Sequence, residues 1–226
     1  MMEPEARRPI ASRNTRLAKS LARSLASTAV TPNQISIGSM VAAAIAGGSF
    51  WASAFTSNGP RIALLLLAAV ACQARLICNL MDGLVAIELG KRAADGAFWN
   101  EFPDRVADIL IIVGLGLAAS SPTLGWAAAS MAILTAYTRE LGQSCGAPVD
   151  FSGPMAKPHR MALVTFAAIA AVLEEIAGMD ALVLHAALWV LVLGAALTTL
   201  RRAGRIVSYL RNAREHNPRP ERNHPH

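Results

Sequence analysis

Charge is scarce in this sequence. Asp, Glu, Lys and Arg make up only 16% of its 226 residues, against 54% hydrophobic residues. A mean hydropathy of +0.39 goes with that scarcity. Too few charges remain to coat a soluble globular domain, and that class is excluded. Cysteine is nearly absent: Cys72, Cys78 and Cys145 match no zinc-ligand spacing, and two of them fall inside one apolar helix as structural thiols. No internal repeat is evident. The first 30 residues lack the compact apolar core of an export signal, so no cleavable leader is expected there.

What charge there is lies in telling places. The formal net charge is +6, and Arg7, Arg8, Arg13, Arg16, Lys19 and Arg23 precede the first apolar segment. Arg201, Arg202, Arg205, Arg211 and Arg214 follow the last one. Basic residues at both ends of an apolar body indicate an integral membrane protein with both termini in the cytoplasm, of the bacterial inner-membrane type, rather than a nucleic-acid binder.

Six spans of about 20 residues can be drawn, at 33–55, 62–89, 98–120, 123–145, 160–178 and 181–203. The expected fold is therefore an all-α integral membrane protein with six transmembrane helices. A basic amphipathic helix over about 10–29 precedes them on the inner surface. The domain division is 1–30 for this juxtamembrane segment, 31–211 for the membrane domain and 212–226 for a disordered polar tail. Thr31 is the expected N-cap of the first span, with Pro32 at its first position. Asn58-Gly59-Pro60, Ser121-Pro122 and Gly178-Met179-Asp180 are expected as outer connections, and Lys91, Arg92 and Lys157 mark the inner side. Ala- and Gly-rich stretches, including Ala42–Ala44 and Gly47-Gly48, suit a compact bundle and a dimer seam.

Chemistry concentrates between residues 79 and 108. At helical spacing Asn79, Asp82 and Ala86 share one face, with Gly83 beside them, and Asn100, Asp104 and Asp108 share another, with Gly96 a turn earlier. The short loop between the two segments makes them antiparallel neighbours whose faces can meet. Carboxylates at a membrane depth are costly and mark a functional site. Oxygen ligands of this kind suit a hard cation that bridges to substrate phosphates. The small residues at 83, 86 and 96 leave room for a nucleotide.

These residues resemble the signature of the CDP-alcohol phosphatidyltransferase family, D-x-x-D-G-x-x-A-R-x(8)-G-x-x-x-D-x-x-x-D. Asn79, Asp82, Gly83, Ala86, Gly96, Asn100 and Asp104 fall on its positions at matching intervals. Asn79 and Asn100 stand in place of two carboxylates, and Ile87 in place of the arginine. The pairing of N-x-x-D-G with G-x-x-x-N-E-x-x-D resembles a subgroup of that family. Thr31-Pro32-Asn33, Arg139-Glu140 and Lys157 with Arg160 extend the resemblance over about residues 30–205.

The resemblance implies transfer of a phosphatidyl group from CDP-diacylglycerol to a small alcohol, with release of CMP, by a homodimer in the bilayer. Asn79, Asp82, Asn100 and Asp104 would hold one or two Mg²⁺ or Mn²⁺ ions, with Asp108 as a further ligand. Asp82, Gly83, Ala86 and Gly96 would receive the nucleotide, and Asp104 would act as general base. Arg139, Lys157 and Arg160 would form a basic pocket for the acceptor or a phosphate.

Plainer readings compete. Asp104 and Asp108 can pair with Arg75, Arg105 or Arg139, Arg139 with Glu140, and the two asparagines can bond helices together. Lys157 and Arg160 can be inner-loop charges, and Trp99 and Trp126 interface anchors. At the level of function the alternatives are a weakened CDP-lipid-binding homologue and a proton- or ion-coupled transporter.

Overall fold

The computed structural model describes residues 30–88, 95–179 and 182–216, with a few isolated positions between 20 and 28. The amphipathic segment over 10–29 and the turn at Lys91-Arg92 lie outside the described residues, as do the side chains of Ile87 and Asn100. Among the described residues there are six helices and no strand: α1 (Pro32–Ser53), α2 (Asn58–Glu88), α3 (Gly96–Ala118), α4 (Pro122–Ser144), α5 (Lys157–Ala177) and α6 (Val183–His216). By length and composition α1, α2 and α6 can each cross a membrane.

Local chemistry sets the ends of these helices. Thr31 caps α1 as its sequence requires. Its hydroxyl accepts from the Gln34 N–H at 3.3 Å, and the Gln34 side chain accepts from the Thr31 N–H at 3.0 Å. Asn58, Gly59 and Pro60, expected as a connection, instead form the first turn of α2, where proline's missing N–H costs nothing. Gly178 ends α5 in the left-handed region at φ 63°, with the Met179 N–H returning to the Glu174 carbonyl at 3.0 Å. The Glu174 carboxylate then accepts from the N–H groups of Leu182 and Val183 at the start of α6. That last helix runs on to His216, past the boundary expected at 211, because no helix breaker intervenes before Pro218.

α1 packs against both α2 and α3, α2 against α5, α3 against α4, and α6 against α4 and α5. The core between them is built of small and branched residues, among them Ala43, Ala46, Phe50, Leu65, Ala107, Ile111, Leu115 and Leu188. Glycine permits the tightest crossing. A Cβ at Gly47 would stand 2.2 Å from the Leu110 carbonyl oxygen, and one at Gly114 would stand 2.3 Å from that of Gly47. Large apolar side chains such as Val70, Phe166, Leu173, Leu193 and Leu200 point outward, as they do in a protein solvated by lipid.

α2 and α3 make little direct backbone contact; α1 packs on both of them, and long side chains span the distance between the two site helices. A smaller apolar cluster of Ile35, Met81, Leu84 and Val85 fixes the start of α1 against the C-terminal end of α2.

Candidate active site

Polar residues from several helices gather around Asp104, which is buried on α3. Its Oδ1 accepts from the Asn79 amide at 2.8 Å and from Arg75 Nη2 at 3.1 Å, both from α2. Its Oδ2 is in direct contact with the ammonium of Lys157, the first residue of α5. The same ammonium donates to Asn79 Oδ1 at 2.6 Å. Side chains from α2, α3 and α5 therefore meet at one point, and Lys157 remains partly exposed there.

Asp82 lies one helical turn beyond Asn79. Its Oδ2 accepts from the Ser36 hydroxyl on α1 at 2.8 Å, and its Oδ1 accepts from the Gly83 N–H at 2.6 Å. The mouth of the site is tied by Asp95, which accepts from Asn33 on α1 at 3.3 Å and from the Trp99 indole at 2.9 Å. Among the described residues, nothing lies within 4 Å of a Cβ built at Gly96.

Asp108 sits deeper, fully buried between two guanidinium groups. Arg160 Nη2 reaches its Oδ2 at 2.5 Å, and Arg75 Nη2 stands 3.6 Å from its Oδ1. Arg160 also donates to the Thr135 hydroxyl and the Met155 carbonyl. An ion pair this dry persists because each charge would be far costlier alone. Arg139 lies elsewhere, bonded to Glu101 at 2.5 Å and Glu140 at 2.7 Å and placed 5.5 Å from the Phe151 ring centre.

The expected site residues are thus brought together in part. Asn79, Asp104 and Lys157 converge, and Asp82, one helical turn from Asn79, is held by Ser36 and the Gly83 N–H. Asp108 and Arg160 face each other inside the bundle. Arg139, Lys157 and Arg160 each meet a different acidic partner instead of lining one pocket. Two participants were not singled out from sequence as site residues. Ser36 is a small polar residue on the buried face of α1, and Arg75 was named only as a possible counter-ion. The pair Phe98 and Phe102, stacked at 5.0 Å, was also missed. With Arg105, Ile133 and Tyr137 it lines a groove of about 330 Å³ between α3 and α4.

The donor chemistry decides whether a hard divalent cation suits this place. Among the described residues no three His, Cys, Asp or Glu side chains converge to enclose a metal by themselves. Two carboxylates remain, Asp82 and Asp104, with an amide oxygen at Asn79 already ligating a cationic group. Such a set fits Mg²⁺ or Mn²⁺, which keep waters and substrate phosphates in their shells.

No protein-family model matches the chain. A phosphatidylinositol phosphate synthase from Streptomyces avermitilis is 32% identical over 133 residues, which cover 55% of this chain and 54% of that protein. An archaetidylinositol phosphate synthase from Aeropyrum pernix is 30% identical over 145 residues, covering 64% of this chain and 70% of that protein. The chain therefore spans about half the length of the first relative and about two thirds of the second. Among solved structures, Mycobacterium tuberculosis phosphatidylinositol phosphate synthase with CDP-DAG bound superposes with a TM-score of 0.71 at 18% identity. The match covers 85% of this chain and 94% of that one. The same enzyme in complex with manganese and citrate gives a TM-score of 0.70, again at 18% identity, over 84% of this chain and 89% of that one. At that identity the likeness speaks for the fold.

Proposed function

The chain belongs to the CDP-alcohol phosphatidyltransferase family, and from that premise we propose that it transfers a phosphatidyl group from CDP-diacylglycerol to a small alcohol and releases CMP. The observation that carries this reading is the meeting of Asn79 and Asp104. These signature residues lie 25 positions apart, yet they share a hydrogen bond and a common cation. The relatives' names, with CDP-DAG and manganese in structures of the same fold, support it.

The residues that would hold Mg²⁺ or Mn²⁺ are Asp82 and Asp104, with the amide oxygens of Asn79 and Asn100. A bound ion would supply positive charge to the diphosphate and to the departing CMP. Asp82 is kept in place by Ser36 and by its own helix. Arg75 holds Oδ1 of Asp104, leaving Oδ2 toward the side on which Lys157 stands. Lys157 has a flexible stem, so its ammonium can follow a phosphate and free Oδ2. Asp104 then takes the proton of the acceptor hydroxyl. The hydroxyl oxygen bonds to the β-phosphorus, and the bond from that phosphorus to the bridging oxygen breaks. The electron pair leaves with CMP. The small residues Gly83, Ala86 and Gly96 receive the nucleotide.

In this reading all six helices cross the membrane, the site faces the cytoplasm and both termini lie on that side. The clustering of polar side chains at the α2–α3 and α4–α5 ends supports it. A homodimer belongs to the same reading, and the exposed small residues Ala44 and Gly48, one turn apart on α1, permit another helix to approach.

A second reading, a CDP-lipid binder with little turnover, draws on the engagement of both Asp104 oxygens by Arg75, Asn79 and Lys157. One experiment separates them. Purified protein in lipid nanodiscs is given CDP-diacylglycerol, Mg²⁺ or Mn²⁺, and a panel of inositol phosphate, glycerol 3-phosphate, serine and neutral polyols. Metal-dependent CMP release with a new lipid of matching mass supports the transferase. Tight binding of CDP-diacylglycerol without CMP release from any acceptor supports the binder.

A further inference from the structure

Asn79 and Lys157 form a matched pair. The Asn79 amide nitrogen donates to Asp104 Oδ1, and its carbonyl oxygen accepts from the Lys157 ammonium. Only this orientation satisfies both neighbours, because a carboxylate accepts and an ammonium donates. A carboxylate at position 79 would instead put two negative charges within hydrogen-bond reach and call for a doubly charged cation. With an amide there the pair carries one negative charge, which Lys157 meets on a tether beside the guanidinium groups of Arg75 and Arg105, and no doubly charged cation is called for.

The charges of the cluster agree. Asp82, Asp104 and Asp108 are matched in number by Arg75, Lys157 and Arg160. The neighbouring Arg105, Arg139, Glu101 and Glu140 also cancel. Among these side chains positive and negative charges are equal before any metal arrives, and Asp95 at the mouth adds one further negative charge. A divalent ion entering alone would add uncompensated charge, whereas one entering with a diphosphate would not.

We propose that the ammonium of Lys157 is the standing cation of the Asn79–Asp104 oxygen pair, in the place of a metal ion, so that the chain binds one divalent cation and binds it together with a nucleotide diphosphate. The proposal rests on the transferase reading and narrows its ligand set: the Asn79 oxygen stays with Lys157 until substrate binds, Asp82 and the remaining lone pairs of Asp104 take the single ion, and Lys157 then carries its positive charge to the substrate phosphates.

The test counts Mn²⁺ by electron paramagnetic resonance on the full chain in nanodiscs, with and without CDP. The wild type is expected to bind one Mn²⁺ per chain with CDP, and at least roughly tenfold more weakly without it, the scale of one nearby unreplaced charge. The double variant Asn79→Asp/Lys157→Met is expected to bind a second Mn²⁺ per chain. Lys157→Arg, which keeps the charge, is expected to stay at one. If the double variant does not fold, Lys157→Met alone is expected to tighten Mn²⁺ roughly tenfold by the same charge argument. Two ions in the wild type, none in the presence of CDP, or unchanged Mn²⁺ binding in both Lys157→Met variants would overturn the proposal. Two ions with CMP transfer intact would overturn it and leave the transferase reading standing. One ion with no transfer to any acceptor would do the reverse.

Discussion

The side-chain amide of Asn79 donates to Asp104 Oδ1 at 2.8 Å, and this bond joins two helices whose backbones hardly meet. α1 packs on both α2 and α3, so polar side chains rather than interlocked apolar ones define the space between the site helices. Three neighbours then fix Asp104: Arg75 and Asn79 from α2 and Lys157 from α5. A carboxylate so held, with the partly exposed Lys157 beside it, is the centre of the proposed site.

Asp108 tests the division between chemistry and scaffold. Asp108→Asn leaves Arg160 buried without its counter-charge, and a loss of about 3–5 kcal/mol is expected. Thermal or denaturant unfolding in detergent measures it. If the variant keeps its stability and loses Mn²⁺ binding, Asp108 is a ligand, as its spacing from Asp104 first suggested.

Ser36 holds the other carboxylate. Ser36→Ala removes a hydroxyl bonded to Asp82, an interaction worth about 1.5–3 kcal/mol when the acceptor is charged. The expected result is a KM for CDP-diacylglycerol raised roughly tenfold or more, a cost of that size, with Ser36→Thr restoring it. An unchanged KM in steady-state assays would show that the hydroxyl is a bystander.

Gly47 carries the α1–α3 crossing that aligns these groups. Gly47→Ala puts a methyl 2.2 Å from the Leu110 carbonyl oxygen and is expected to cost about 1–3 kcal/mol. Gly38→Ala, in the same helix with nothing among the described residues within 4 Å of the added Cβ, is expected to stabilise by about 0.5–1 kcal/mol. Paired unfolding curves decide; equal stabilities would remove the close approach.

Outside the bundle, Asp150 gives a pH dependence. Burial pushes its carboxyl up, but the Ser152 hydroxyl, the Ser152 N–H and Arg205 outweigh this and hold it below the usual carboxylate range. A depressed folded value means stability that is present above the unfolded value near about 4 and is lost as pH falls through the folded one. The pair is partly exposed, so the contribution is below about 1 kcal/mol. Asp150→Asn is expected to flatten the acid-side fall of the melting temperature and to change little near neutral pH. A parallel curve would contradict it.

How much of this could be read from the chain follows from the range of each interaction. Thr31 with Pro32 and Gln34 is a local device, so its cap was legible. Asn79 with Asp82, and Asn100 with Asp104, are spaced by the helix itself, and so the candidate site was legible as two faces. What joins them was not. The bond from Ser36 to Asp82 spans 46 positions and depends on how α1 is rotated. The choice of Arg75 and Arg160 as partners of Asp108, rather than Arg139, depends on where α4 and α5 pack. The faces of α2 and α3 meet as the short loop suggests, but through side chains, with Asn79 and Arg75 on Asp104, while Gly47 and Gly114 draw the backbone of α1 against α3. Arg139 and Arg160 look alike in sequence beside Lys157, yet only Lys157, at the first turn of α5, reaches the Asp104 oxygen.

CMP release by Asp104→Asn in nanodiscs containing CDP-diacylglycerol, Mn²⁺ and the acceptor that the wild type uses is the most direct measurement. The amide keeps the shape of the side chain and cannot take a proton, so release is expected to fall by about 10²–10⁴-fold while CDP-diacylglycerol still binds. Wild-type turnover in that variant would contradict a proton-accepting role for Asp104 and, with it, the assignment of this site.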